Sequence, residues 1–231
     1  MMFATEALIE GLQTGEKIRT FWKTRWGAKS DFDKGAERIV YSFFNTQGFG
    51  IHNSAPVGSD MFFETKDAFI HIDLKTVKAE TNIRDHNNKC NIGPNQTSYK
   101  GPYKVKNKIR KWAPNLPPTY TVGTKTKPCL TYFITILYEK HNLNILNINI
   151  LCMPNGILRK HYKARPLSAG KNPKETEARF RWSNCMDFEL LKDKPKRIRV
   201  IHYDDKNNQH YKKSLKLIKR LYDSENQRST K

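Results

Sequence analysis

The chain has 231 residues, with 42 Lys plus Arg against 22 Asp plus Glu and a formal net charge of +20. A hydrophobic share of 37% is enough for one core of ordinary size, so a single domain is expected over residues 1–231. The cationic excess points to a polyanion, and because no apolar run approaches the ~20 residues of a spanning helix, nucleic acid is a better reading than a membrane.

Glu6 and Glu10 interrupt the N-terminal hydrophobic residues, unlike a signal peptide, and a cytoplasmic location is expected. The four cysteines, Cys90, Cys129, Cys152 and Cys185, form no CxxC pair, and no histidine lies in a HExxH arrangement. Neither a zinc knuckle nor a disulfide framework is suggested, and reduced thiols are expected. No small-molecule organic cofactor is called for.

In chain order, Ala4 to Leu12 reads as helical, with the basic-aromatic stretch Lys17 to Trp26 behind it; Trp22 and Trp26, four apart, read as one apolar face on the core. In the next helix, Ser30 or Asp31 can cap the start, and Ala36, Val40, Phe43 and Phe44 share one side before Gly48 ends it. Gly50 to Ser59 reads as an irregular strand and loop. Asp60 to Glu64 and Ala68 to Val77 then look like a hairpin.

Lys78 to Pro128 is polar and rich in Gly, Pro and Lys, and it is expected to be a loop-rich excursion. Leu130 to Tyr138 and Asn144 to Met153, parted by the turn-like Glu139 to Asn142, should be central strands. A second excursion, 154–186, is basic and broken by Pro and Gly, and Ala178 to Trp182 within it is either a strand or a reading loop. Leu215, Ile218 and Leu221 give the C-terminal segment one apolar stripe among lysines, an amphipathic basic helix. From about Ser224 the end should fray.

An acidic-x-Lys pattern carries little information in so basic a chain, since Glu64/Lys66, Asp73/Lys75 and Asp204/Lys206 all match. Only Asp73 and Lys75 sit in a strongly apolar strand, Phe69-Ile70-His71-Ile72-Asp73-Leu74-Lys75. Strand periodicity puts both charges on one face with Phe69, His71 and Val77. A hairpin with Thr65 to Ala68 as its turn would pair Glu64 with Phe69 and, in the same register, Asp60 with Asp73. Facing carboxylates destabilise a sheet unless a cation compensates them, and a divalent ion would do so. Lys75 beside them would orient an attacking water or stabilise charge growing on a phosphate. A structural ion cluster on a solvated face is the alternative. Glu37 borders the apolar stripe of its helix, so it either reaches this site or is an ordinary rim glutamate.

The order of these parts resembles the core of the PD-(D/E)xK nucleases, an α+β fold whose mixed central sheet is flanked by helices: helix with Glu37, loop, Ser59-Asp60, hairpin, Asp73-Leu74-Lys75, and two further apolar strands. The resemblance spans about Asp33 to Met153. Within that superfamily, Ile72-Asp73-Leu74-Lys75-Thr76, followed by Gly93 and Thr97-Ser98-Tyr99, is similar to type II restriction endonucleases of the EcoRV and HincII kind. The resemblance implies that Asp60 and Asp73 ligate Mg²⁺, that Lys75 assists the water, that Glu37 is an auxiliary acid, and that a homodimer cuts a short palindrome in double-stranded DNA. Ser59 stands where the nominal signature has proline.

For DNA contact, Lys100, Lys104, Lys106, Lys108, Arg110 and Lys111 interleave with Tyr99, Tyr103 and Trp112, which suits an arm laid along phosphates; a solvated charge run is the alternative. Asn95, Gln96, Arg179, Arg181 and Asn184 have side chains of the kind that read base edges. A non-enzymatic nucleic-acid-binding protein would explain the charge equally well, and a junction or repair nuclease would share the fold. Neither the recognition sequence nor the cutting geometry is written in the residues.

Overall fold

The structure is a computed structural model that describes residues 51–52, 60–105, 107–170 and 178–229. The chain divides into two compact units, Met1–Ile51 and His52–Lys231, and the account below concerns the second. The helices expected before Gly48, with Trp22, Trp26 and Glu37, lie outside the described residues, as do Ser59 and Lys106.

The strands in chain order are β1 (Ile51–His52), β2 (Met61–Glu64), β3 (Phe69–Lys78), β4 (Cys90–Ile92), β5 (Gly101–Val105), β6 (Lys108–Trp112), β7 (Thr119–Val122), β8 (Lys125–Tyr138), β9 (Ile145–Met153), β10 (Leu167–Ala169), β11 (Ala178–Phe180) and β12 (Ile198–Tyr203). The main sheet runs β1-β2-β3-β8-β9-β12, with β7 also paired to β8. Its β3–β8 pair is parallel, while β2–β3, β8–β9 and β9–β12 are antiparallel. This is the mixed central sheet expected from the sequence, with Glu139 to Asn144 closing the β8–β9 turn.

A parallel pair cannot be joined by a tight turn and needs a long crossover. The crossover from β3 to β8 is the polar stretch after Lys78, and here the expectation of a loop-rich excursion is corrected. The segment holds the one-turn helices Ala79–Asn82 and Arg84–Asn87 and the strands β4 to β7. β5 and β6 form a separate antiparallel hairpin, and β4 joins β11 and β10 in a small sheet. The segment also supplies core: Tyr99, Tyr103, Trp112 and Leu116 are all buried. A few large aromatic side chains seal as much surface as a run of aliphatic ones, and they do so without the alternation that marks a strand.

The main core lies on the sheet face that also carries Asp73 and Lys75. Val77, Phe133, Leu137, Leu151 and Met153 pack there with Cys90, Ile92, Tyr99, Phe180 and Trp182. A backbone approach helps to seat this layer. Gly156 N donates to Ser98 Oγ at 2.9 Å, and a Cβ on Gly156 would run into the Ser98 carbonyl. The C-terminal helix, Lys216–Ser229, packs on β12. Leu215, Ile218 and Leu221 are buried, so the expected apolar stripe is the one used. All four cysteines are buried free thiols. Among the described residues no helix is long and apolar enough to cross a membrane.

Candidate active site

The β2–β3 hairpin sets the site. Its turn is pinned at Thr65, whose N donates to Ala68 O at 2.9 Å while its Oγ1 accepts from Ala68 N at 3.1 Å. From that turn the pairing runs Glu64↔Phe69, Phe63↔Ile70, Phe62↔His71 and Met61↔Ile72. The Glu64↔Phe69 register is the one expected from the sequence; Asp60 stands just before β2, and Asp73 follows Ile72 on β3. Asp60 is exposed, and its Oδ2 accepts from the Leu74 backbone N at 2.7 Å, which ties the acid to the strand that carries Asp73.

Asp73 is 1% exposed. A carboxylate sealed from water must be compensated, and the Lys75 ammonium lies 2.5 Å from Asp73 Oδ1. Lys75 alternates onto the same face as Asp73, reaches Gln96 Oε1 at 2.9 Å and stands over the Phe133 ring at 5.9 Å. The carboxylate is sealed, but the ammonium keeps a rim of solvent, with 18% of its side chain exposed. His71, the preceding residue on this face, is fully buried. Burial first and the Lys75 charge second push its imidazole down to about 4, so it is neutral at ordinary pH and brings no second cation to the cluster.

Two carboxylates on neighbouring strand positions, one open to solvent and one sealed, supply oxygen ligands of the kind that suit a hard divalent cation. Among the described residues no group of three or more His, Cys, Asp or Glu side chains is placed to hold a metal ion, here or elsewhere. Glu37 lies outside the described residues.

The residues expected to contact DNA separate into two groups. Lys100 and Asn184 are exposed, and Asn95, Gln96 and Arg181 are half-buried. Tyr99 and Arg179, in contrast, are core residues, and for them the expectation of a DNA-facing side chain is corrected. Tyr99 is fully buried, and its hydroxyl donates to Lys163 O at 2.7 Å. Arg179 is 4% exposed; it donates to Asn91 Oδ1 at 2.5 Å and Asp85 Oδ1 at 3.4 Å. The half-buried Asp85 carboxylate and the Asn91 amide oxygen hold this guanidinium inside the β4–β11 layer. Nothing in the spacing announces this pair, because its partners stand 94 residues apart. Gln96 is brought to Lys75, a neighbour that its place in a polar loop did not suggest.

Residues 1–142 match the N-terminal domain of the type II restriction enzyme MwoI, and residues 145–203 match the central domain of the same enzyme. No curated protein matches the chain. Among solved structures, the fold is similar to that of the restriction endonuclease BglI bound to its DNA recognition sequence, with a TM-score of 0.58 and 14% identity over 88% of this chain and 90% of that one. It is also similar to the tetrameric restriction endonuclease SfiI bound to cognate DNA, with a TM-score of 0.59 and 14% identity over 77% of this chain and 73% of that one. Of the three readings that the charge and fold left open, the family match selects the site-specific nuclease. The chain belongs to the family of type II restriction enzymes represented by MwoI, endonucleases that cut DNA at specific sites.

Proposed function

We propose that the chain hydrolyses double-stranded DNA at Asp60, Asp73 and Lys75, with Mg²⁺ held between the two carboxylates. The observation that carries this reading is that Asp60, just before β2, accepts from the Leu74 amide next to Asp73, while Lys75 Nζ lies against the sealed Asp73. A sealed carboxylate is expensive in a protein that merely binds DNA, whose phosphates call for cations alone.

The bound ion would polarise the phosphate and acidify a water. Asp60, anchored through Oδ2 to the Leu74 amide, would hold the ion with its other oxygen. Asp73 supplies the inner oxygen, fixed by strand β3. The Lys75 ammonium would donate to the attacking water or to the phosphate oxygen on which charge grows. Glu37 is proposed as an auxiliary acid by its place in the superfamily pattern.

The DNA-bound and, for SfiI, tetrameric states of the fold neighbours support DNA as the partner and an oligomer as the acting species. We propose a homodimer on a palindromic site, acting in the cytoplasm, because two-fold symmetry in the protein matches two-fold symmetry in the site. Lys100 and the exposed β5–β6 cations Lys104, Lys108, Arg110 and Lys111 are suited to phosphates. Asn95, Gln96, Arg181 and Asn184 are the remaining candidates for base edges. A closer tie to the EcoRV and HincII kind has the segment Ile72–Thr76, with Gly93 and Thr97–Tyr99, as its support.

The test is plasmid digestion by purified Asp73→Ala beside the unsubstituted protein, in Mg²⁺, in Ca²⁺ and after chelation. The unsubstituted protein should give discrete fragments only with Mg²⁺. The variant should give none while still shifting DNA in Ca²⁺. Full cutting by Asp73→Ala would sink the site assignment.

A further inference from the structure

Gln96 sits at the end of a single helical turn, Pro94–Gln96, between β4 and β5. Its Oε1 accepts from two donors: Lys75 Nζ at 2.9 Å and Gly93 N at 2.6 Å. Oxygen and nitrogen of a side-chain amide are hard to tell apart by shape, but an ammonium and a backbone N–H are both donors only. The orientation is therefore dictated by chemistry, with the carbonyl oxygen facing Lys75.

The turn itself is braced from outside. Gln96 N donates to Gly93 O at 3.1 Å and Asn115 N to Pro94 O at 2.8 Å, and Asn115 Nδ2 donates to Asn95 Oδ1 at 2.7 Å. Oε1 is thus fixed independently of the lysine. A lysine side chain has four rotatable carbons and reaches a defined point only if acceptors hold it there. Asp73 supplies one such acceptor at 2.5 Å. If Asp73 is engaged by a cation, that contact weakens, and Gln96 becomes the acceptor that keeps the ammonium at the site.

We propose that Gln96 is a positioning residue: its side-chain carbonyl holds the Lys75 ammonium in its working position while Asp73 binds the cation. This assigns Gln96 to the chemical step and removes it from the base-reading candidates. The proposal rests on the site reading given above.

The test compares Gln96→Met, which keeps length and removes the acceptor, with Gln96→Glu, which restores an acceptor of the same shape. Single-turnover cleavage of a duplex carrying the mapped site is measured at saturating protein in Mg²⁺, and affinity for the same duplex in Ca²⁺. Thermal unfolding of each variant checks the fold. Gln96→Met should lose about 10- to 100-fold in the cleavage rate constant with affinity changed less than about threefold, and Gln96→Glu should recover most of the rate. Wild-type cutting by Gln96→Met would overturn the proposal. So would a loss of affinity equal to the loss of rate, which marks a DNA contact, or a Gln96→Glu as slow as Gln96→Met. Asp73→Ala is run alongside. If it is inactive while Gln96→Met cuts normally, only the role of Gln96 falls; if it cuts normally, the site reading itself falls.

Discussion

Strands β3 and β6 both belong to antiparallel hairpins and both carry charges, yet they dispose of them in opposite ways. In β3 the pleat turns Asp73 into the core face at 1% exposure, and Lys75 follows it there to form a 2.5 Å pair. In β6, Lys108, Arg110 and Lys111 are all exposed, and even Ile109 is 75% exposed. A charge inside needs a dedicated partner, so its loss is felt locally and strongly. A charge outside is solvated for itself and acts only in sum, through the field it adds for a polyanion. On the proposed site assignment, the first hairpin would supply chemistry and the second attraction.

The largest effect should come from the inward set. Asp73→Ala and Lys75→Ala should each lower the single-turnover cleavage rate by about a hundredfold or more, as loss of a preorganised group at a phosphoryl centre does, with DNA affinity in Ca²⁺ little changed. Comparable losses of rate and affinity would dissolve the division between the hairpins. A second inward charge, Arg179, tests the structural half of the argument. Arg179→Ala removes a buried guanidinium bonded to Asp85 and Asn91 and should cost about 1–3 kcal/mol of stability, read as a lower urea midpoint. An unchanged midpoint would mean that the Arg179–Asp85 pair is not the anchor of the β4–β11 layer.

The smallest effect on the fold should come from β6. Changing Lys108, Arg110 and Lys111 together to alanine should leave stability within about 0.5 kcal/mol per site and cleavage at saturating DNA unaltered. The salt dependence of binding, in contrast, should become shallower by about 0.9 in log–log slope for each phosphate contact removed. A slope unaffected by all three changes would show that the hairpin does not lie on DNA.

The same contrast explains what could be read from the chain. The β2–β3 register was legible because apolar residues alternate with Asp73 and Lys75 at a strict period of two, and the Thr65 to Ala68 turn then leaves one pairing for Asp60. Strands β8 and β9 announce themselves by their Ile and Leu content, and the C-terminal helix by Leu215, Ile218 and Leu221. The crossover hid its strands because each buries one or two aromatic side chains, Tyr103 and Trp112 among them, in a setting of lysine and asparagine. β12 was passed over although Ile198-Arg199-Val200-Ile201-His202-Tyr203 is rich in β-branched residues, a signal that was present. Tyr99 and Arg179 went astray for another reason. Residue type says what a side chain can bond, but only the fold decides whether Asp85 and Asn91 reach Arg179 before a base does. Gln96 likewise meets Lys75 only because the crossover folds back over β3.

The account stands or falls on a cation between Asp60 and Asp73. A crystal of the protein with its DNA site in Mn²⁺, measured at a wavelength where manganese scatters anomalously, locates the ion without reference to activity. The expected result is a peak at about 2.0–2.2 Å from one carboxylate oxygen of each aspartate, with the Lys75 ammonium turned towards the phosphate. A manganese peak elsewhere at the cleaved phosphate, with Asp73 still paired to Lys75 alone, would contradict it.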